Sequence, residues 1–240
     1  MRKTILALAV CGVLALALTG CETRSISDSG YRGEYYGRPY GSGENPLYKG
    51  ELSEMDILGA APKAEATEEN IHKAFESAQM AALKRGDKLM LIQSGAMVPD
   101  DAMLEEANHY FAIAPFSGVP PTDKNGLAGS LRLRAAQGGY RFILCYWGVL
   151  ESAQRDQEGK AVSWVPIVGG LVPDQKQQMR IRLKGLLLDV LTGNWKMYTP
   201  ESYSDEKYNS SWNREARDQQ LVLALKQKGY RALLDAVLTQ

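Results

Sequence analysis

Histidine is nearly missing from this chain: His72 and His109 are the only two among 240 residues. Neither stands in an HExxH or other paired-ligand spacing, so a zinc site has no signature and no metal or cofactor is expected. The three cysteines, Cys11, Cys21 and Cys145, form no CxxC pair for metal or redox work. Charge of one sign is also missing, with 28 basic against 28 acidic residues. Without a polycation to release counterions from a phosphate backbone, nucleic acid is not an expected partner. Phosphate-cradling loops are absent too, because Gly138-Gly139 and Gly169-Gly170 lack both GxGxxG and Walker lysine spacing. Ser94-Gly95 follows a predicted strand but lacks the GxSxG elbow. The apolar run Ile5–Leu18, about 14 residues, is too short for a permanent transmembrane helix of about 18–20.

That run has another reading. Arg2 and Lys3 form a short positive region before it, and Leu18-Thr19-Gly20-Cys21 closes it. A positive end and a short apolar stretch are the parts of an export signal, and the last four residues resemble the bacterial lipobox. The resemblance implies diacylglycerol on the Cys21 thiol, cleavage by signal peptidase II between Gly20 and Cys21, and acylation, palmitate included, of the new amino terminus. A transmembrane anchor ending in a chance cysteine is the alternative, and charge, length and lipobox together weigh against it. By resemblance to lipoprotein sorting, Glu22 after the cysteine directs the product to the outer membrane, on its periplasmic face. The mature chain then carries 26 basic and 28 acidic residues, and Cys145 has no disulfide partner.

Residues 22–46 are rich in Gly, Ser and charge, with Ile26 isolated and Tyr31, Tyr35, Tyr36 and Tyr40 as the main apolar content. No helical or strand period appears, so the segment does not repay its ordering entropy. Residues 21–66 are therefore expected to be a flexible tether after the signal at 1–20. It would span roughly 35–40 Å on average and at most about 150 Å. A globular domain is expected over 67–240.

Within that domain Thr67 caps a predicted helix with Ile71, Phe75, Ala78 and Ala82 on one face, ending at Gly86. Lys88–Gln93 reads as a strand, Asp100–Tyr110 as a helix, Phe111–Phe116 as a strand, and a short helix from about Gly129 stops at Gly138. Tyr140–Leu150 is apolar almost throughout, the mark of a strand covered on both faces. Val162–Val168 is another strand, placed near an edge by Pro166. Met179–Leu191 begins with strict alternation, and Thr192-Gly193-Asn194 turns it into a hairpin with Trp195–Tyr198. Two helical stretches separated by Gly229 close the chain. The fold class is α/β (α+β): one mixed sheet with packed helices.

APFSG at 114–118, the Ala-Ala-x-Gly-Gly helix end at 135–139 before an apolar strand, and LLLDVLTGNW at 186–195 carry a resemblance. They are similar to motifs of lipoprotein domains related to the amino-terminal domain of TolB. Those domains include the curli-secretion lipoprotein and an outer-membrane activator of peptidoglycan synthases. Proteobacterial lipoproteins with the same run of motifs, VSWVP at 162–166 included, look alike as well. The resemblance spans roughly residues 85–238 and implies a domain that binds other proteins and does no chemistry.

Side chains that carry chemistry elsewhere have plainer readings in this chain. Glu105 and His109 stand at i, i+4 and read as a solvated pair. Cys145 sits in the most apolar strand, where a thiol is inert. Arg180, Arg182 and Lys184 share a strand face and read as a solvent-facing basic row. Trp164, Trp195 and Trp212 are large enough to anchor an interface, with core packing expected for at least two. The sequence thus points to an envelope lipoprotein acting as a non-enzymatic protein-binding or accessory module, held by the lipid on Cys21. A periplasmic hydrolase acting on envelope peptides or glycans is the alternative, since any two of the acids could converge. A structural spacer is a third.

Overall fold

The computed structural model describes residues 25–28, 48–59, 66–155, 162–166, 176–208 and 214–239. In chain order these form α1 (Glu54–Leu58), α2 (Glu68–Glu76), β1 (Lys88–Gln93), α3 (Asp101–Asn108), β2 (Ala112–Phe116), α4 (Leu127–Gln137) and β3 (Phe142–Arg155). Then come β4 (Val162–Pro166), β5 (Lys176–Asp189), β6 (Trp195–Tyr198), β7 (Tyr203–Tyr208) and α5 (Arg214–Leu238).

All seven strands join one sheet in the order β2-β1-β3-β5-β6, with β4 on β3 and β7 on β5. β1 is parallel to β2 and β3, whereas β5 is antiparallel to β3, β6 and β7. The expected mixed sheet is thus present. Its parallel part needs crossovers, and α3 and α4 supply them on opposite faces. Met103 and Ala107 of α3 pack with Leu89, Leu91, Leu144 and the α5 residues Leu225, Tyr230 and Leu233. Leu131 and Ala135 of α4 pack with Met90, Ile92, Ile143, Cys145 and Leu186 on the other face. Alternate side chains of β1 and β3 therefore enter two cores, which is why both strands read as unbroken apolar runs. Pro166 lies on β4, which pairs with β3 alone among the described strands, in keeping with its missing donor.

The motifs singled out above are structural joints. In 114–118, Gly118 lies so close to β1 that a Cβ there would stand 1.9 Å from the Gln93 carbonyl oxygen. We expect Gly118→Ala to cost about 3 kcal/mol or more by forcing backbone apart, read as a fall in the midpoint of urea unfolding. In 186–195, Asp189 is fully buried and accepts from the Leu191 amide. Gly193 takes a positive φ of 77° in the turn, and Asn194 donates to the carbonyls of Ser77 and Gln79.

Three expectations are corrected. The helix capped by Thr67 stops at Glu76 and buries no residue: Asn194 takes the carbonyls just past its end, and Leu83 enters the core in place of Ile71 and Phe75. The two closing helices are one, because Gly229 marks a close approach and no break. A Cβ at 229 would meet Leu183 at 2.9 Å, so the glycine lets α5 lie flat on β5. The folded body also begins before residue 67. Ile26, Leu52 and Ile57 are 2%, 4% and 0% exposed, so 25–28 and 48–59 pack on the sheet instead of belonging to a tether. One isoleucine in a polar segment has no periodicity, and only the pocket that receives it reveals its role. β7 was not expected either; its sequence YSDEKY has no apolar alternation and is ordered by pairing with β5.

Candidate functional site

The most extensive polar constellation among the described residues sits beyond the carboxyl end of β1. The chain leaves β1 towards β2 on one side and returns as β3 on the other, so the strand order reverses at this point. Open α/β sheets take ligands in such a crevice. In this chain the position is filled by its own residues 25–28. Ser25 bridges Val149 of β3, and the Ile26 amide donates to the Gly148 carbonyl at 3.0 Å, next to where β1 ends with the Ser94 amide on Tyr146.

Gln93, fully buried, is the hub. Its Oε1 accepts from the Tyr146 hydroxyl at 2.5 Å and the Asp100 amide at 2.7 Å, and its Nε2 donates to Ser27 Oγ at 3.0 Å. Ser27 donates its own hydroxyl proton to the Ser94 carbonyl at 2.5 Å. From α5, Lys226 donates to Asp100 Oδ2 at 2.7 Å and to the Ile26 carbonyl at 3.2 Å. The Tyr230 hydroxyl donates to the same carboxylate at 2.5 Å. Burial pushes the hydroxyls of Tyr146 and Tyr230 well above the usual tyrosine range, so both stay protonated as donors. The first residues of the folded body are thus clamped by β1, β3 and α5 together.

Glu51 faces the same segment. Burial raises its carboxyl above the ordinary value, against hydrogen bonds from Ser25 and Ser94 that lower it. The folded protein therefore holds this proton to higher pH than the unfolded chain, so stability falls as pH rises through the carboxylate range. We expect Glu51→Gln to be the more stable protein at pH 7, with the difference shrinking as pH falls towards the ordinary value of 4.5 and gone below it. Thermal melts across that range check it.

The basic row on β5 is not a free patch. Arg180 and Arg182 both donate to Glu151, itself 4% exposed, and Lys184 pairs with Glu54 and lies over the Trp147 ring. At the other end of the sheet, an open concavity of about 490 Å³ is lined by Lys84, Asp87, Lys88 and Arg141 among others. Arg141 is engaged there by Asp189. Several large apolar side chains also stand uncovered. Ile71 and Phe75 of α2 are 52% and 81% exposed, and Met97 and Val98, in the loop after β1, are 60% and 58% exposed.

Gly20, Cys21, Tyr31, Tyr35, Tyr36, Tyr40, Gly169 and Gly170 lie outside the described residues. Cys145 is buried and its thiol is pushed well above the usual range by desolvation. The Ser94 hydroxyl is taken up by the backbone of Leu52 and by Glu51. His72 lies on α2 and His109 caps α3, in separate elements. Among the described residues no group of three His, Cys, Asp or Glu is placed to share a metal ion, and no helix is long and apolar enough to cross a membrane. Trp195 is half exposed, while the side chains of Trp164 and Trp212 lie outside what is described. Trp147, to which the sequence assigns no role of its own, is buried and donates to the Leu52 carbonyl at 2.6 Å. Its place in the apolar strand was the available signal.

Comparison with known proteins yields a family described as YafT bacterial lipoprotein, whose profile matches residues 53–240. Among curated proteins there is no match. Two solved structures are distant neighbours, both PelC dodecamers from Paraburkholderia phytofirmans. A single-substitution variant is 14% identical, covers 64% of this chain and 94% of its own, and has a TM-score of 0.25. A second crystal form is 15% identical, covers 64% and 91%, and has a TM-score of 0.28.

Proposed function

This chain belongs to the YafT bacterial lipoprotein family, and from that premise we propose a non-enzymatic accessory module of the cell envelope that works by binding another protein. The membrane-anchored character follows from the family. The finer address is proposed: cleavage between Gly20 and Cys21, lipid on Cys21, and retention at the periplasmic face of the outer membrane, supported by the lipobox and by Glu22.

The observation that carries the binding reading is α2. It has a good cap in Thr67 and acids in its first turn, yet none of its residues is buried. Ile71 and Phe75, four apart, share one face and leave it in solvent. An amphipathic helix with its apolar side uncovered suits a hydrophobic groove on a protein partner, with these two as anchors. A photocrosslinker at Phe75 should capture one envelope protein in near-stoichiometric yield, and Ile71→Glu should abolish that capture. Because both side chains are exposed, the same substitution should change stability by less than about 0.5 kcal/mol. Hydrolysis of peptidoglycan or peptides by the purified domain would displace this reading in favour of a periplasmic hydrolase.

A further inference from the structure

We propose that the end of the sheet formed by Ser25–Asp28 and the loop Gly95–Pro99 rests against the headgroup surface of the membrane that holds the chain, with Met97 and Val98 dipping into it. This rests on Cys21 as the lipidated residue and concerns what that lipid does to the domain.

The first support is reach. Ser25 is the fourth residue after Cys21, and it is already fixed on β3. Four residues span at most about 14 Å even when fully extended. A lipid on Cys21 therefore keeps the bilayer surface beside the carboxyl end of β1, however long the rest of the segment to residue 48 is. A leash of about 45 residues would leave the domain free to tumble tens of ångströms away. Ile26, inserted in the core and tied to Lys226 and Gly148, removes that freedom.

The second support is the surface presented there. The loop after β1 is anchored at both ends to the residues that grip the docked segment. The Ser94 carbonyl accepts from Ser27, and the Asp100 amide donates to Gln93, which in turn donates to Ser27. Gly95 packs so closely that a Cβ on it would meet Tyr48 at 2.8 Å and Ser27 at 3.3 Å. Between these fixed ends Met97 and Val98 stand exposed. Two apolar side chains on a rigid tip suit the boundary between headgroups and acyl chains. A lipid surface is also the one occupant kept within reach by a covalent link, at an effective concentration that no diffusing partner matches. The opposite end of the sheet, where Asn194 holds the end of α2, then faces away from the bilayer with Ile71 and Phe75 outward.

The test uses the full lipidated protein in vesicles of phosphatidylethanolamine and phosphatidylglycerol containing brominated acyl chains. A bimane label is placed at Val98→Cys or at Phe75→Cys; the native Cys145 is buried and does not compete. Bimane at 98 should be quenched about twofold or more and bimane at 75 hardly at all. Inserting a Gly/Ser linker of about 20 residues between Thr23 and Arg24, worth roughly 25 Å of mean reach, should bring quenching at 98 down to the level at 75 while the protein still floats with the vesicles. Equal quenching at both positions in floating protein, or quenching at 98 that ignores the linker, overturns the proposal and leaves the lipid reading intact. Protein that fails to float overturns the lipid on Cys21, and this proposal with it.

Discussion

Cys21→Ala should accumulate as uncut, unacylated precursor and lose most of its detergent-phase partitioning, the largest single effect expected of any substitution in this chain. The magnitude comes from the acyl chains. Each buried CH₂ contributes about 0.8 kcal/mol, and two chains anchor a protein stably where one holds it only marginally. No element among the described residues can replace them, since none is long and apolar enough to span a bilayer. Phase partitioning and the mass of the product on a gel read the outcome. A Cys21→Ala variant of mature size that still enters detergent would remove the lipid assignment and the membrane address drawn from it.

Asp100→Ala should be the most damaging change to the folded body that leaves every apolar side chain in place. Its carboxylate takes donors from Lys226 and Tyr230, and the Lys226 side chain is only 8% exposed. Removing the acceptor leaves an ammonium group in the interior facing the Ile26 carbonyl without its counter-charge. Breaking a buried pair from one side typically costs about 3–5 kcal/mol. For a domain of this size that is a fall of roughly 10 °C or more in melting temperature. The partner change separates a stranded charge from lost packing. Adding Lys226→Met to Asp100→Ala should recover part of the stability, because two neutral groups in the interior cost less than one unpaired ion. A double variant less stable than Asp100→Ala alone would show that the charge was never the problem.

The central strands were legible in the sequence because their reason is local. Lys88 to Gln93 reads as a strand and Tyr140 to Leu150 as an apolar run, and Leu89 to Ile92 and Phe142 to Trp147 are buried from both sides. The Thr67 cap and the turn at Thr192–Asn194 were legible too, since one side chain or one positive φ decides them. The α2 face was legible as amphipathic but not as uncovered. Amphipathicity states what a helix can bury, and whether anything meets it is a matter of the rest of the chain. The basic row on β5 was visible as alternation, but Glu151 on the neighbouring strand, which neutralises two of its members, stands about 30 residues away.

The clamp beyond β1 was the least legible part. Gln93, Asp100, Tyr146, Lys226 and Tyr230 follow no motif spacing, and the segment they grip precedes the nearest of them by more than sixty residues. By itself the sequence determined the apolar strands and the mixed order of helix and strand, and it carries the lipobox motif on which the proposed lipid anchor rests. These depend on side-chain type and period over a few neighbouring residues. Tertiary structure alone decided that Ile26 belongs to the core, that YSDEKY is a strand, that Gly229 is a notch inside one helix and that the chain fills its own crevice. Each of those is a contact between distant stretches, and its free energy exists only once the sheet has brought them together.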